Sequence, residues 1–400
     1  MKRKLVITGL LAATLLLAAC GGIGGEEAKS KPLTGIDACF NEALGYYNES
    51  PSVIQTGTTQ YIFYTRNETK NDATTDTIAV RKGTYKNGEW TYGEPKTVLR
   101  PSADGFDSAS VFGADVVKGE FAYEGKTYPY LMVYSGSEKT NRGNAQIGFA
   151  VSEKIDGEYI RIGNAPLIEF YKTTHTPVGL KNYKGLTEPS IVSYDQKGKV
   201  TVFYTFYGYF ECNYAMQMDL SDLSSMTKGG AIRVNTAGVA DGVENTMLFA
   251  GDYVYDPDED TYVVCRNYGG SVTGLPTVSE AVQVLTASAA DIYKVNENEP
   301  GDTMGAEAVW SLYNSRQRRI SAVHTAMDVE EGSTDMSRAD GYSRIYNGCI
   351  ASDPYGYTVS SNEAVVYFTS SATSGDDSLT GDEYKFTPMI HEFVVGRGTK

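Results

Sequence analysis

The stretch EPSIVSYDQKGKVTVFYTFYG, residues 188–208, has the pattern of a β-hairpin. Two runs rich in Val, Ile, Tyr, Phe and Thr flank the polar segment 195–198. β-Branched and aromatic residues favour strands, whereas Asp, Lys and Gly favour the turn between them. The stretch therefore predicts two antiparallel strands. An acidic residue, Glu188, and a proline stand directly before the first of them.

Four other segments contain a similar apolar, aromatic run. These runs are QYIFYT (60–65), YLMVYSGS (130–137), TYVVCRNYG (261–269) and AVVYFTSS (364–371). Tyr64, Tyr134 and Tyr204 are separated by intervals of 70 residues, and the later intervals are less regular. Similarity at a nearly fixed period indicates repeated supersecondary units.

Each run is preceded by another apolar strand and followed by a third, and a weaker fourth strand is readable in segments such as EYIRIG (158–163) and AIRVN (231–235). The pattern predicts an all-β, five-bladed β-propeller over residues 45–398, because radial repetition leaves few exposed strand edges. A two-sheet sandwich of similar strand content is the alternative. The predicted blades cover 45–105, 108–170, 183–235, 240–312 and 343–398, and 313–342 is predicted to be a long connection.

Residues 1–20, MKRKLVITGLLAATLLLAAC, combine a basic start with an apolar run. The run is about 15 residues long, too short to cross a bilayer of roughly 30 Å comfortably, and it predicts an export signal. Its end resembles the lipobox of bacterial lipoproteins, which implies cleavage before Cys20 and acylation of its thiol. An ordinary signal peptide is the alternative. Residues 21–44 are predicted to be a flexible tether, so we expect a membrane-anchored lipoprotein at the cell surface or on the periplasmic face.

The charge of the chain excludes one class of partner. The formal net charge is −15, and without Lys2, Arg3 and Lys4 the remaining 32 basic and 50 acidic residues give about −18. Nucleic acid is therefore not expected to bind. The His and Cys residues have no metal-ligand spacing, and no organic cofactor is predicted. The four later cysteines are expected to form two disulfides or to remain buried thiols: Cys39, Cys212, Cys265 and Cys349.

The starts of the predicted first strands carry the candidate site. In a propeller these strands line the central channel, so their starts converge at one end of it. Aligning them by their apolar residues places Ser50, Glu188, Glu244 and Asn347 at equivalent positions, with Asp115 two residues later in its own blade. Three carboxylates and two neutral polar groups are therefore expected to face one cavity.

These starts resemble those of the five-bladed propeller glycosidases of glycoside hydrolase family 43, the arabinanase and β-xylosidase type. The segment FGADVV (112–117) resembles the Ala-Pro-Asp-Val of the second blade, TEPSIV (187–192) the Asp-Pro-Ser of the third, and VENTML (243–248) the Glu-Gly-Pro of the fourth. The resemblance implies that Glu244 is the general acid, that Glu188 orients it and tunes its pKa, and that the substrate is a polysaccharide or oligosaccharide. Hydrolysis needs two carboxyl groups across the scissile bond.

The first blade departs from the family pattern. NESPSV (48–53) has Ser50 where the family carries its general base, and Glu49 stands one residue earlier. A shift of one residue along an extended strand turns a side chain to the other face, so Glu49 can serve only where the chain is not yet extended. The predicted base is Glu49 or Asp115, although Asp115 could instead satisfy backbone N–H groups. Tyr46 and Tyr47 are predicted to contact sugar at the rim. A non-catalytic glycan-binding lipoprotein is the alternative function, and it accounts for Ser50 directly.

Overall fold

Each apolar run found in the sequence forms the middle strand of a three-stranded antiparallel unit in the computed structural model. Five such units follow one another along the chain and are numbered 1–5 here. The structure describes residues 33–36, 38–40, 42–170, 184–207, 211–234, 248–268, 279, 281–294, 308–315, 320–321, 334–338, 344–372 and 383–398.

The five units have the same strand order. Their first strands are β2 (Glu49–Thr56), β7 (Ser110–Tyr123), β11 (Gly185–Ser193), β16 (Asp252–Asp256) and β22 (Arg344–Ile350). Their middle strands are β3 (Thr59–Thr69), β8 (Lys126–Ser137), β12 (Lys199–Tyr207), β17 (Thr261–Tyr268) and β23 (Glu363–Ser371). Their third strands are β4 (Asp72–Lys86), β9 (Gln146–Ser152), β13 (Glu211–Asp219), β18 (Ala281–Ser288) and β24 (Met389–Gly396). All five predicted hairpins are confirmed.

Short strands extend four of the units at their outer edge. They are β5 (Glu89–Tyr92) and β6 (Lys96–Leu99) on β4, β10 (Ile160–Arg161) on β9, β14 (Thr227–Lys228) and β15 (Ile232–Val234) on β13, and β19 (Ser311–Leu312) on β18. Helical structure among the described residues is confined to α1 (Ala289–Ile292) and a 3₁₀ turn (Glu383–Phe386). The described part of the chain contains no helix that is long and apolar enough to cross a membrane.

Three further strands lie in segments predicted to be irregular. Strand β1 (Leu33–Ile36) falls within the predicted tether, and β20 (Ile320–Ser321) and β21 (Thr334–Arg338) fall within the predicted connection. Strand β21 pairs in parallel with both β1 and β20, and β20 pairs with β18 of unit 4. The segments at 33–36 and 334–338 are thus joined to the sheet of unit 4 by backbone hydrogen bonds, a long-range pairing that their local sequences do not indicate.

Side-chain packing joins each unit to the next. Five buried clusters contain, in order, Phe63 with Met132 (units 1 and 2), Leu131 with Val202 (units 2 and 3), Phe203 with Val264 (units 3 and 4), Val263 with Val366 (units 4 and 5), and Ile62 with Tyr367 (units 1 and 5). Burying each such side chain contributes roughly 1.5–3 kcal/mol. Packing between units therefore holds the described strands together, and it brings the fifth unit against the first. A parallel pair between β4 and β7, Asp76 with Ser110, joins units 1 and 2 into one sheet. The five units therefore form four sheets, which does not fit the alternative of a two-sheet sandwich.

The cysteines in the described part of the chain are free thiols. Cys212, Cys265 and Cys349 are buried and Cys39 is half-buried, and all four are free. Burial raises the pKa of the Cys212 thiol. Of the two states left open by the sequence, the structure has the one without disulfides for these four residues.

Each unit has a backbone irregularity at the same place, where its first strand begins. In units 1, 2, 3 and 5 the pairing of the first and middle strands skips two residues, as in a β-bulge. The residues with positive φ at these points are Ser50 (51°), Gly113 (54°), Glu188 (48°), Ala250 (49°) in unit 4, and Asn347 (47°). A bulge redirects the side chains beside it, so the same turn of the backbone is repeated five times around one point.

Candidate active site

A cavity lies where these five irregularities meet. Its described walls are 50–52 of unit 1, 113–115 of unit 2, 188–190 of unit 3, 250–252 of unit 4 and 347–348 of unit 5. Every unit thus contributes the residue of positive φ and the residue that follows it. The convergence predicted from the sequence is therefore present for Ser50, Asp115, Glu188 and Asn347.

Glu188 lies against the backbone of unit 2. A Cβ atom placed on Gly113 would be 2.7 Å from Glu188 Oε2, so only glycine allows the carboxyl group this close to the neighbouring strand. Gly113 also has a φ of 54°, a conformation that glycine adopts without strain. On its other side, Glu188 Oε1 accepts a hydrogen bond from Asn347 Nδ2 at 3.2 Å. The carboxyl group is therefore fixed between units 2 and 5.

The environment of Glu188 favours its protonated form. Burial, together with the negative charge of Glu49, raises the pKa of Glu188 to about 7. The positive charges of Arg142 and Lys184 and the hydrogen bond from Asn347 act in the opposite direction and are outweighed. A carboxyl group with a pKa near neutrality can hold a proton at physiological pH and release it to a substrate.

Glu49 is buried beside this cavity, with 8% of its surface exposed. It forms an ion pair with Arg142 and accepts a hydrogen bond from the Tyr346 hydroxyl at 2.9 Å. The positive φ of Ser50 interrupts the alternation of an extended strand. Because of that interruption, Glu49 contacts groups of units 2 and 5 and lies close enough to Glu188 for their charges to interact. Such an interruption is the condition that the sequence pattern sets for Glu49 to act as the base.

Arg142 is held in turn by a second carboxylate. Its Nε and Nη2 atoms donate to Asp76 Oδ2 at 2.7 Å and Oδ1 at 2.9 Å. Asp76, which is 2% exposed, also accepts hydrogen bonds from Ser110 Oγ at 2.5 Å and from the Tyr47 hydroxyl. The guanidinium therefore bridges Asp76 and Glu49, two carboxylates of unit 1. Burial acts to raise the pKa of Asp76, but the charge and the hydrogen bonds of Arg142 counteract it, and the pKa is lowered.

Ser50 and Asn347 connect units 1 and 5 across the cavity. Asn347 Nδ2 donates to Ser50 Oγ at 2.7 Å as well as to Glu188. The amide N–H of Ser50 donates to Thr369 Oγ1 at 3.0 Å, and that of Asn347 donates to Asn267 Oδ1 at 2.7 Å. Both side chains line the cavity, where a bound ligand would meet neutral hydrogen-bonding groups.

Asp115 accepts hydrogen bonds from backbone N–H groups, which is the structural role that the sequence left open as an alternative to catalysis. Its Oδ1 accepts from Ser52 Oγ at 2.7 Å and from Val116 N at 2.8 Å, and its Oδ2 accepts from Ile191 N at 2.8 Å. These bonds tie units 1, 2 and 3 together beneath the entrance. Burial raises the pKa of Asp115.

A second carboxylate, Asp252, faces Asp115 in the cavity wall. Its Oδ2 accepts a hydrogen bond from Ile350 N at 2.9 Å. Burial, followed by the negative charge of Asp115, raises the pKa of Asp252 to about 8. The two groups oppose each other's ionisation, as like charges do at short range.

We expect Asp252→Asn to flatten the pH dependence of stability. A carboxyl group whose pKa is raised by folding binds more protons in the folded state, so its contribution to stability falls as the pH rises from about 4 to about 8. Asn can still accept the bond from Ile350 but has no charge to bury. In thermal unfolding the variant should exceed wild type in Tm at pH 8, and the difference should shrink at pH 5. Parallel Tm profiles would contradict the assignment.

The fourth unit corrects one alignment made from the sequence. Glu244 was expected at the position equivalent to Ser50 and Glu188, but the residue with positive φ there is Ala250. The amide N–H of Ala250 in unit 4 donates to Thr205 Oγ1 in unit 3 at 3.2 Å. In the same way, the amide N–H of Ser50 in unit 1 donates to Thr369 Oγ1 in unit 5. The alignment was displaced because the apolar residues 247–249 were matched to the start of the strand. Glu244 itself lies outside the described residues.

The remaining predicted residues are placed as follows. Tyr46 is half-buried and stacks on the Arg66 guanidinium, 3.7 Å from its ring centre. Tyr47 is 4% exposed, and its hydroxyl is directed to Asp76, so it supports the Arg142 cluster and is not at an exposed rim. Cys20 lies outside the described residues.

Two residues of this site were not identified from the sequence. Arg142 lies between β8 and β9, in a turn whose position beside unit 1 depends on tertiary structure. Asp252 could have been found, because Ala250-Gly251-Asp252 repeats the small-small-Asp pattern of Gly113-Ala114-Asp115.

The fold and the site together define a class of protein: an all-β chain of repeated units whose strand starts surround a cavity containing carboxyl groups. No protein-family model matches the chain. No curated protein matches it either. Among solved structures, a thermostable family-43 glycoside hydrolase superposes with a TM-score of 0.50 at 14% identity, over 93% of this chain and 96% of that one. This likeness shows that the chain has the fold of a propeller glycoside hydrolase.

Two further structures have slightly lower scores. A family 117 glycoside hydrolase from the marine bacterium Zobellia galactanivorans gives a TM-score of 0.49 at 17% identity, over 92% of this chain and 89% of that one. An α-L-arabinofuranosidase from Podospora anserina, in complex with cellotriose, gives 0.49 at 11% identity, over 92% and 98%.

Proposed function

We propose that the protein is a five-bladed β-propeller that binds glycans at the described cavity and hydrolyses their glycosidic bonds. The blade count is supported by the five three-stranded units and by the packing of unit 1 against unit 5. The fold likeness to a family-43 glycoside hydrolase agrees with it. Fold alone does not determine activity, so the reaction rests on the site.

One observation carries the reaction: Glu188 has a pKa of about 7 beside a second carboxylate, Glu49, that is bound by Arg142. Glycoside hydrolysis requires one carboxyl group that is protonated and a second that is ionised. We assign Glu188 as the proton donor to the leaving oxygen and Glu49 as the carboxylate that activates water or attacks the sugar. Asn347 orients Glu188, and Arg142 and Tyr346 orient Glu49.

The test is a screen of aryl glycosides and plant polysaccharides with wild type and Glu49→Gln. We expect wild type to hydrolyse at least one substrate and Glu49→Gln to lose about 10²–10⁴-fold in kcat, the usual contribution of general acid–base catalysis. Gln keeps the shape and the bond from Tyr346 but cannot accept a proton. Thr74→Ala, at an exposed position near the start of β4, is the control, and its activity should equal that of wild type. Full activity of Glu49→Gln would contradict the assignment.

A second candidate function is glycan binding without hydrolysis. It is favoured by the five equivalent positions of positive φ, of which only Glu188 carries a group that can exchange a proton. Glycan binding by wild type with no turnover of any substrate in the screen would establish this alternative.

We also propose that the protein is a lipoprotein, anchored through acylated Cys20 at the cell surface or on the periplasmic face. The support is the basic start, the short apolar run and the small residues before Cys20. An anchor of this kind would hold the cavity close to the membrane while residues 21–32 act as the spacer.

A further inference from the structure

One side chain on the middle strand of a unit holds the strand start of the following unit, with unit 1 following unit 5. In units 1, 3 and 5 it is a threonine whose Oγ1 accepts the amide N–H of the residue with positive φ. The pairs are Thr65 with Gly113 at 3.0 Å, Thr205 with Ala250 at 3.2 Å and Thr369 with Ser50 at 3.0 Å. In unit 4 this place is taken by Asn267, whose Oδ1 accepts the amide N–H of Asn347 at 2.7 Å. Asparagine also has an NH2 group, which threonine lacks.

The backbone N–H of Asn347 fixes the direction of two side-chain amides. Because an N–H group only donates, the atom of Asn267 that it contacts is the oxygen, and the other atom is the NH2 group. That group donates to Asn347 Oδ1 at 3.3 Å. The carbonyl end of the Asn347 amide is therefore turned to Asn267, and its NH2 end is turned to Ser50 and Glu188. It donates one hydrogen to Ser50 Oγ at 2.7 Å and the other to Glu188 Oε1 at 3.2 Å.

This arrangement makes the two carboxyl oxygens of Glu188 unequal. Oε1 accepts a hydrogen from Asn347, so the proton of the neutral carboxyl group lies on Oε2. Oε2 is the oxygen beside Gly113, in the wall of the cavity. If the Asn347 amide were reversed, its carbonyl oxygen would face Glu188 and would accept a hydrogen bond from a proton on Oε1. The direction of one amide therefore decides which oxygen of Glu188 carries the proton.

We propose that Asn267 is a positioning residue for the proton donor, because it fixes the Asn347 amide and thereby keeps the proton of Glu188 on Oε2. This inference rests on the proposed function of Glu188 as the acid. When the leaving oxygen takes the proton, the O–H bond at Oε2 breaks and its electron pair stays on Glu188. The bond from Asn347 then becomes a charge-assisted hydrogen bond to a carboxylate, which is the stronger kind. Asn267 is 3% exposed, so it acts through Asn347 and not on the substrate.

Asn267→Thr tests this role, because threonine holds the equivalent place in units 1, 3 and 5. Its hydroxyl oxygen can accept the N–H of Asn347, so the backbone bond is kept, but it has no NH2 group for Asn347 Oδ1. The Asn347 amide can then turn, and its hydrogen bond to Glu188 weakens. Burial and the charge of Glu49 raise the pKa of Glu188 to about 7, and the bond from Asn347 opposes them. Weakening this bond should therefore raise the pKa of Glu188 further.

Carbon-13 NMR of the glutamate carboxyl groups measures this change without a substrate. The Glu188 signal is assigned by its absence in Glu188→Gln. We expect the midpoint of its titration to move upward by about one pH unit in Asn267→Thr, the effect of losing one hydrogen bond to a charged group. The fall in activity at alkaline pH should move upward by the same amount, and thermal unfolding checks that the variant is folded.

Two comparisons separate positioning from a general loss of packing. Asn213→Thr makes the same change at another buried asparagine, whose amide donates to Thr205 Oγ1 at 3.0 Å, and it should leave the titration of Glu188 unchanged. In Asn347→Gly the glycine tolerates the positive φ and has no side-chain amide to turn, so adding Asn267→Thr should cause no further shift.

Three results would overturn this inference: an unchanged midpoint in Asn267→Thr, an equal shift in Asn213→Thr, or a further shift when Asn267→Thr is added to Asn347→Gly. If wild type hydrolyses no glycoside of the screen, the proposed function fails, and the titration still decides whether Asn267 controls Glu188 through Asn347.

Discussion

Glu188→Gln is expected to lower kcat/KM for glycosides with poor leaving groups by about 10³-fold, within the range that general acid catalysis contributes. The carboxyl group is held between Gly113 and Asn347, and burial and the charge of Glu49 raise its pKa to about 7. Gln has nearly the same shape and can accept the bond from Asn347, but it has no acidic proton. The loss should therefore appear in the chemical step and not in folding, which thermal unfolding checks.

The leaving group distinguishes an acid from a residue that only tunes one. A dinitrophenyl glycoside needs no proton on its leaving oxygen, so Glu188→Gln should retain most of its activity on that substrate. Wild type should lose activity as the pH rises above about 7, where Glu188 releases its proton. This fall in activity at alkaline pH should be absent in Glu188→Gln.

Glu244→Gln is the matched variant, because the family resemblance implied that Glu244 is the acid. One outcome would contradict our assignment: Glu244→Gln loses most activity except on the dinitrophenyl glycoside, while Glu188→Gln shows only a shifted pH dependence. Glu188 would then be the carboxylate that tunes the pKa of the acid, and Glu244 would be the acid. Both variants belong in the same series of assays.

The strand pattern could be predicted because it depends on local chemistry. Alternating β-branched and aromatic runs, separated by turns such as 195–198, specify hairpins without reference to the rest of the chain. The parallel pairing of β21 with β1 could not be predicted, because it joins two short segments about 300 residues apart in the sequence.

The site was predictable where position along the chain sufficed. Glu188 was found because a Glu-Pro pair before an apolar run is an unusual feature of the sequence. Its partner Arg142 was not found, because a turn residue of unit 2 reaches carboxylates of unit 1 only in three dimensions. The fourth unit was misaligned because the apolar residues 247–249 were matched to the start of its first strand, which begins at Asp252. Backbone conformation, and not apolar pattern, identifies the equivalent positions.

Arg142→Met is expected to destabilise the protein by about 3–5 kcal/mol, the usual cost of removing one partner of a buried ion pair. Met keeps an apolar stem that can pack on Phe112, so the change removes mainly the charge. It leaves Asp76, which is 2% exposed, without a cation, and its remaining bonds to Ser110 and Tyr47 do not neutralise it. Urea denaturation at pH 7 measures the free energy of unfolding.

The pH dependence identifies the cause of that loss. In wild type Arg142 helps to lower the pKa of Asp76, so its contribution to stability is present at neutral pH and is lost as the pH falls through the lowered pKa. In Arg142→Met only the hydrogen bonds from Ser110 and Tyr47 oppose burial, so we expect the pKa of Asp76 to rise and the variant to regain stability on acidification. The difference between the two proteins should therefore be smaller at pH 4 than at pH 7.

Arg100→Met is the control for this substitution. Arg100 pairs with Glu68 at 3.0 Å, but its side chain is 59% exposed, and an exposed pair contributes about 0–1 kcal/mol. A loss below about 1 kcal/mol in Arg142→Met as well would mean that water reaches Asp76 and that the guanidinium is not its main support. The same variant should also lose hydrolysis, because Arg142 holds Glu49. Retained activity together with a large loss of stability would separate the structural role of Arg142 from its role in orienting Glu49.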